Sequence, residues 1–197
     1  MMPSDPHSAS RMVKDIREVL ITENQLHQRI IELGEEISND YAGLQPIMVG
    51  VLKGVLFFMA DLLRAVTVPV EVDFMAVSSY SQEARQQGLV KLDKDLSIPI
   101  QDRHVLFVED IVDTGLTLYY LLKNLKARLP ASLEVCTLVN KTTHRQVDVP
   151  LKYRGFDITD RFVVGYGLDY KEKYRNLPFI GVLKPQALLP TKENSKD

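Results

Sequence analysis

The spacing of apolar residues alternates between helix-like and strand-like periods along the chain. Between residues 26 and 41, apolar side chains recur every three or four positions, which predicts an amphipathic helix of about five turns. Its members are Leu26, Ile30, Leu33, Ile37 and Tyr41. Thr22 and Gln25 precede this run at the spacing of a capping box, so the helix should begin there.

Short apolar or β-branched runs predict buried strands, and longer runs between them predict helices. The predicted strands are 46–52, 70–76, 104–108, 133–139, 162–164 and 179–182, and the predicted helices that follow two of them are 56–66 and 116–129. Strands that alternate with helices favour an α/β fold with a mostly parallel central sheet flanked by helices. Ligands of such sheets bind beyond the carboxyl ends of the strands.

Residues 78–94 (SSYSQEARQQGLVKLDK) interrupt this pattern because they contain almost no apolar anchors. The ordinary interpretation is a solvated loop. The length of the segment favours either disorder or a lid over a ligand site.

Composition indicates an ordinary globular protein, since 45% of the 197 residues are apolar and 25% are charged. The length predicts one domain over residues 11–187. Residues 1–10 and 188–197 are polar, and we expect a disordered N-terminus and a C-terminal tail.

The net charge and the cysteine content indicate in which compartment the protein lies and which partners it binds. The net charge of −2 leaves no basic excess to attract nucleic acid. A single cysteine, Cys136, cannot form an internal disulfide, which favours a reducing compartment. The longest apolar stretch, 49–63, is interrupted by Lys53 and Asp61 and is too short to span a bilayer. We therefore expect a cytoplasmic protein with no membrane partner.

The strongest candidate for chemistry is the segment 105–117 (VLFVEDIVDTGLT). A buried strand is followed by Glu109 and Asp110, then by Asp113, and a Thr-Gly turn opens a helix. Carboxylates at a strand end suit hydroxyl groups or a magnesium-bound diol. The N-terminus of a helix suits a phosphate, because free N–H groups and the helix dipole converge there. Together these features predict a sugar-phosphate pocket.

Other interpretations of this segment are weaker. Asp113 or Thr114 could simply cap the helix, but a cap explains one acid and not three. The spacing of a P-loop is absent. The triplet Asp-Thr-Gly also occurs in aspartic proteases, which need two such aspartates on an all-β scaffold, and here the triplet occurs once.

The segment resembles the phosphoribosyl diphosphate (PRPP) loop of type I phosphoribosyltransferases, and the surrounding chain resembles their 6-oxopurine (hypoxanthine-guanine) branch. The resemblance extends over residues 15–185 and includes Leu52-Lys53-Gly54, Ser79-Tyr80, Lys141 and the segment 161–175 (RFVVGYGLDYKEKYR). Leu116 departs from the family, where some members carry lysine. The resemblance implies the type I fold, with a small hood formed by the terminal segments.

For the sugar-phosphate side, the resemblance implies that a single loop binds PRPP. Its members are Glu109, Asp110, Ile111, Val112, Asp113, Thr114, Gly115, Leu116 and Thr117. The turn at Lys53 and Gly54 is by itself an ordinary strand-to-helix connection. By resemblance it binds pyrophosphate, often with a cis peptide before the lysine, and Arg175 contacts the same group. Ser79 and Tyr80 would belong to the lid.

For the base side, the resemblance implies that Lys141 donates to the purine O6 and so selects 6-oxopurines over adenine. Phe162 would stack on the purine, and Val163 would contact its edge. Asp169 would lie beside them and ligand a second magnesium ion, with Glu109 and Asp110 as ligands of the first. Arg145 is a weaker candidate for ordering this region. By themselves, Lys141 could be a solvated lysine and Phe162 a core residue.

The activity implied is Mg²⁺-dependent transfer of the phosphoribosyl group from PRPP to hypoxanthine or guanine, with Asp113 as general base. Alternatives are a PRPP-sensing regulator of the same fold and a xanthine-preferring enzyme. The resemblance also implies a homo-oligomer, either a dimer or a tetramer.

Overall fold

The computed structural model describes residues 11–79 and 90–188, which divide between two compact units. The larger unit is His27–Asp160, and the smaller combines Met1–Leu26 with Arg161–Asp197. Residues 1–10 and nearly all of the tail lie outside the described residues, so the predicted domain boundaries stay predictions.

The described residues form five helices and nine strands. The helices are α1 (Arg11–Lys14), α2 (Glu23–Asp40), α3 (Leu56–Ala65), α4 (Leu116–Lys126) and α5 (Pro185–Leu188). The strands are β1 (Ile16–Ile21), β2 (Ile47–Leu52), β3 (Glu71–Ser79), β4 (Val90–Lys94), β5 (His104–Val112), β6 (Ser132–Lys141), β7 (Tyr153–Ile158), β8 (Val163–Val164) and β9 (Ile180–Leu183).

The larger unit is built on a mostly parallel sheet, as the sequence predicts. In its described part the strand order is β4-β3-β2-β5-β6-β7, and β4 alone runs antiparallel to its neighbour. The carboxyl ends of β2, β5, β6 and β7 therefore lie at one edge of the sheet. The polar residues that follow those strands gather at this edge.

Helices cover both faces of this sheet. On one face, α4 buries Leu118, Leu121 and Leu125 among strand residues such as Val49 and Phe107. On the other face, α3 approaches β2 at Gly50, where an added Cβ would lie 2.9 Å from the Met59 methyl carbon. The prediction of a sheet flanked by helices is confirmed.

The helix predicted from residue 26 onward is α2, and its capping box is present. The Gln25 carboxamide oxygen accepts a hydrogen bond from the Thr22 N–H at 2.9 Å, and the Thr22 hydroxyl accepts one from the Gln25 N–H at 3.3 Å. The apolar stripe of this helix is buried. Gly34 allows close packing, since a Cβ there would lie 2.5 Å from the Ala65 Cβ.

The smaller unit has its own antiparallel sheet, with the order β1-β9-β8 in the described residues. Val164, Tyr174, Leu177 and Leu183 form its buried cluster. The terminal segments therefore form a compact unit, although β1 was not predicted because Arg17 and Glu18 interrupt its apolar pattern.

The interpretation of 78–94 as a loop is wrong at both of its described ends, since Ser78 and Ser79 belong to β3 and residues 90–94 form β4. Val90–Lys94 is a strand that pairs with β3, and Leu92 packs against the core while Lys91 and Asp93 form an ion pair at 3.2 Å. An edge strand needs only one apolar face, so a single leucine among charged residues suffices. Residues 80–89, which include Tyr80 of the predicted lid, lie outside the described residues.

Two further differences concern strand length and membrane segments. The strand predicted at 104–108 continues through Glu109 and Asp110 to Val112, and β7 was missed because its apolar residues are sparse. None of the helices in the described part of the chain is both long and apolar enough to cross a membrane.

Candidate active site

Glu109 and Asp110 lie within β5, near its carboxyl end, and not in the loop that follows the strand. Glu109 pairs with Thr137, and the register continues to Val112 and Asn140. Consecutive residues of a strand point to opposite faces of the sheet, so the side chains of Glu109 and Asp110 leave the backbone on opposite faces. The Asp110 Oδ1 accepts a hydrogen bond from the Ile111 N–H at 2.9 Å, which orients that carboxylate.

Glu109 carries a strongly perturbed carboxyl group at this edge. Its Oε2 is shielded from solvent and has no hydrogen-bond partner among the described residues. Burial, reinforced by the neighbouring Asp110 carboxylate, raises the pKa of Glu109 well above its usual range. A bound cation or hydroxyl group would supply the missing partner of this buried carboxyl oxygen.

The turn after β2 lies directly against Asp110. A Cβ added to Gly54 would lie 1.8 Å from the Asp110 Oδ2, so only glycine fits between the turn and the carboxylate. The peptide bond between Leu52 and Lys53 is cis, as the resemblance implies. The structure thus brings together two motifs that are separated by more than 50 residues in the sequence.

The Thr-Gly turn opens α4 with Gly115 at the N-cap, where φ is 85°. Gly115 has no side chain to cap the helix, and the Thr114 hydroxyl accepts a hydrogen bond from the Leu116 N–H at 3.4 Å. A Cβ at Gly115 would lie 2.5 Å from the Val147 carbonyl oxygen. Gly115, rather than Asp113 or Thr114, occupies the N-cap, and the N-terminus of a helix favours anions.

Lys141 ends β6 and is 7% exposed. Its ammonium donates to the Asp113 Oδ2 at 2.9 Å and lies 3.8 Å from the Asp160 Oδ1. The other oxygen of Asp160 is 2.6 Å from the His144 Nε2. The predicted specificity lysine and the predicted general base are thus in direct contact.

Arg145 lies beside the start of α4, as its proposed ordering role would require. Its Nη2 donates to the Asn140 carboxamide, which in turn donates to the Asp157 Oδ1 at 2.7 Å. Its Nη1 is buried and has no hydrogen-bond partner among the described residues. This nitrogen is 3.2 Å from the position of a Gly115 Cβ. A guanidinium with a spare buried donor next to a helix N-terminus is suited to hold an anion.

In the smaller unit, Phe162 is 49% exposed and makes an edge-to-face contact with Tyr170 at a ring separation of 5.7 Å. It is therefore not a core residue, and one face of its ring is free of that contact. Val163 is buried in β8 and pairs with Val182. Phe162 directly precedes β8, and an exposed aromatic ring next to a buried strand is a suitable surface for stacking on a base.

Asp169 and Arg175 form an ion pair at 2.9 Å within one turn of the smaller unit. The Asp169 Oδ2 also accepts the Glu172 N–H at 2.9 Å, and Arg175 donates to the Gly167 carbonyl oxygen at 2.7 Å. These contacts order a turn in which several non-glycine residues have positive φ. The sequence did not predict that these two candidates would pair with each other.

Asp160 and His144 are the residues that sequence reasoning missed. Asp160 stands directly before the recognised segment 161–175, and His144 follows Lys141 by three residues. Asp160 was overlooked because β7, which leads into it, was not predicted, and His144 shows no metal-ligand spacing in the sequence.

No cluster of three or more histidine, cysteine, aspartate or glutamate side chains that could hold a metal ion occurs in the described residues. Glu109 and Asp110 supply two carboxylates. This number fits Mg²⁺, which proteins often bind through one or two carboxylates together with water and substrate oxygens. The unsatisfied Oε2 of Glu109 agrees with such a site.

The fold and the site define a class of protein. A model of the phosphoribosyl transferase domain matches residues 21–171, which include β2, the acidic strand, the α4 turn and Lys141. The chain therefore belongs to the phosphoribosyl transferase domain family.

Comparison with individual proteins identifies the family within this class. The chain is 50% identical over 179 residues to a hypoxanthine-guanine phosphoribosyltransferase of Mycobacterium tuberculosis, covering 88% of this chain and 89% of that one. It is 47% identical over 174 residues to that of Bacillus subtilis, covering 88% and 97%. A hypoxanthine phosphoribosyltransferase structure from Staphylococcus aureus superposes with a TM-score of 0.89 at 44% identity, covering 92% and 99%. The chain belongs to the hypoxanthine-guanine phosphoribosyltransferase family.

Proposed function

We infer that this protein transfers the 5-phosphoribosyl group of PRPP to hypoxanthine or guanine, which is a reaction of purine salvage. The observation that supports this most directly is the meeting of three motifs at one sheet edge. Gly54 abuts Asp110, the α4 N-terminus follows β5, and Lys141 contacts Asp113. Family membership supports the same reaction.

We propose that the ribose and phosphates of PRPP bind along residues 109–117. The carboxylates of Glu109 and Asp110 suit the ribose hydroxyls, and the N–H groups at the start of α4 suit the 5′-phosphate. Thr114 and Thr117 add hydroxyl donors. Lys53 and Gly54 are assigned to the pyrophosphate, together with Arg175, whose guanidinium can bind phosphate oxygens in pairs.

Magnesium would be held by Glu109 and Asp110, with Asp169 as the proposed ligand of a second ion. When bound, the ion would neutralise charge on the departing pyrophosphate. The buried Oε2 of Glu109, which has no hydrogen-bond partner among the described residues, supports this assignment, because a nearby cation favours the charged carboxylate.

In the proposed reaction, the purine N9 forms a bond to the ribose C1′, and the bond from C1′ to the pyrophosphate oxygen breaks with its electron pair leaving on pyrophosphate. Asp113 accepts the proton from purine N7 as general base. Lys141 donates to the purine O6, and Phe162 stacks on the ring, with Val163 at its edge. The positive charge that develops on the ribose makes exclusion of water important. The lid containing Ser79 and Tyr80 stays a prediction.

The test is an assay of PRPP with hypoxanthine, guanine, xanthine, adenine and uracil, each with and without Mg²⁺. We expect nucleotide and pyrophosphate from hypoxanthine and guanine, only when magnesium is present. Turnover of xanthine alone would favour the xanthine-preferring alternative. Binding of PRPP without turnover of any base would favour the regulator.

We also propose that the protein is a homo-oligomer of the cytoplasm, as the resemblance and the composition predict. Light scattering coupled to size-exclusion chromatography measures the number of chains. A monomer at micromolar concentration would contradict this part of the proposal.

A further inference from the structure

Asp160 is placed by the pairing of two strands next to the proposed base pocket. Lys141 pairs with Ile158 in the register of β6 and β7, and the Thr142 N–H donates to the Ile158 carbonyl oxygen at 3.2 Å. Asp160 follows two residues later, which brings its carboxylate to within 3.8 Å of the Lys141 ammonium. The carboxylate is half exposed, while the lysine side chain is only 9% exposed.

The Lys141 ammonium is thus shared unequally between two carboxylates. It donates to the Asp113 Oδ2 at 2.9 Å, and the Asp160 Oδ1 is the more distant acceptor. The proposed reaction requires Asp113 to accept a proton from the purine, so an ammonium on its Oδ2 competes with the substrate. A shielded ammonium is costly to leave without an anionic partner. The ammonium can move away from Asp113 at a small cost in free energy only if a second carboxylate lies within reach.

His144 holds the second carboxylate in place. Its Nε2 lies 2.6 Å from the Asp160 Oδ2, so the two oxygens of Asp160 face different partners. The Oδ1 is left to the lysine. Because His144 fixes the orientation of the Asp160 carboxylate, the Oδ1 offers the Lys141 ammonium a defined position as well as a negative charge.

We propose that Asp160 is a positioning residue for Lys141: it receives the ammonium when the purine binds, which frees Asp113 to act as base and directs the lysine toward the O6 atom. This inference rests on the proposed function. It assigns no contact between Asp160 and the substrate, since the carboxylate acts through the lysine alone.

The test compares Asp160→Asn with the wild type in steady-state assays of hypoxanthine, guanine and PRPP. The amide keeps the size of the side chain and removes its charge. We expect kcat/KM for both purines to fall about five- to tenfold, the loss being limited because Asp160 is half exposed to solvent. The KM for PRPP should stay within about twofold of the wild type, since independent sites couple weakly. Asp160→Glu should restore at least half of the lost kcat/KM.

A double-mutant cycle separates positioning from a general structural effect. In the Lys141→Ala background, Asp160→Asn should change kcat/KM for purines by less than about twofold, because the group through which it acts is gone. The matched control is Asp95→Asn, which removes an equally exposed carboxylate from an ion pair with Arg128 at 2.9 Å. This control should leave the kinetics unchanged.

Several results would overturn the inference. Equal losses from Asp160→Asn with and without Lys141, or a rise in the KM for PRPP as large as that for purines, would make Asp160 merely structural. Should Asp160→Asn not fold, His144→Ala must show the same purine-specific loss at a smaller size, and no loss refutes the proposal. A wild type that forms no nucleotide would instead refute the proposed function, and with it this inference.

Discussion

Substitution of Gly54 by alanine tests whether the turn after β2 and the acidic strand form one site. The added Cβ would lie 1.8 Å from the Asp110 Oδ2 and 2.8 Å from its Cγ. The backbone of Gly54 is outside the left-handed region, so any effect arises from this steric contact rather than from φ.

The size of the effect follows from the distance. Ordinary contacts begin near 3.4 Å, so the turn and the carboxylate must separate by about 1.6 Å. Misplacement of a reacting group by 1 Å can lower a rate about 100-fold. Overpacking costs about 1–3 kcal/mol of folding free energy, which is about 2–12 °C in the melting temperature of a chain of this length.

The assay measures kcat/KM for PRPP at saturating hypoxanthine, with thermal unfolding alongside. We expect Gly54→Ala to lose about two orders of magnitude in kcat/KM while remaining folded at 25 °C. The control is Gly43→Ala, where φ is 76° but nothing lies within 4 Å of the added Cβ. It should lose stability and keep its activity. Near-normal kcat/KM in Gly54→Ala would refute the close approach of the turn to Asp110.

Three other changes address the proposed base, the proposed specificity lysine and a buried carboxylate. Asp113→Asn should keep PRPP binding while turnover falls by about two to four orders of magnitude, the range of a general base, measured by kinetics and calorimetry. Lys141→Ala should weaken hypoxanthine and guanine kcat/KM by about 10- to 100-fold, leave PRPP affinity nearly unchanged and reduce the relative disadvantage of adenine. Burial opposes ionisation of Asp73, but the N–H groups of Ile98, Phe74 and Ser97 lower its pKa below the usual value. Asp73→Asn should therefore reduce the free energy of unfolding by about 2–3 kcal/mol at pH 7, measured by urea denaturation.

Each of these has an outcome that would contradict it. Normal turnover in Asp113→Asn would remove this residue from the role of base. Loss of PRPP binding in Lys141→Ala, with base preference unchanged, would assign the lysine to the phosphate site. A lowered pKa in the folded state means that Asp73 stabilises the fold above its unfolded pKa and loses this effect as pH falls through the folded value. The difference between wild type and Asp73→Asn should shrink below about pH 4, and a constant difference would contradict the assignment.

Much of the fold could be predicted because local patterns agreed with the tertiary structure. The α2 stripe and its capping box, the β2 strand with its following helix, and the glycine at the start of α4 are all specified by residues close together in the chain. β1, β4 and β7 could not be predicted in this way. These strands lie at the edges of their sheets or carry charged residues on one face. They form because they pair with a neighbouring strand, which the local pattern of apolar residues does not reveal.

The sequence by itself determined which chemical groups are present and the order in which they leave the sheet: the acids of β5, the Thr-Gly turn and Lys141. Tertiary structure alone decided which of them touch. It placed the Gly54 turn against Asp110, paired Lys141 with Asp113 and Asp160, and joined Asp169 to Arg175. Most of these contacts link residues far apart in sequence, and their distances depend on the register of parallel strands and on the conformation of turns. Hydrophobic periodicity carries no information about either, because it reports only which face of an element is buried.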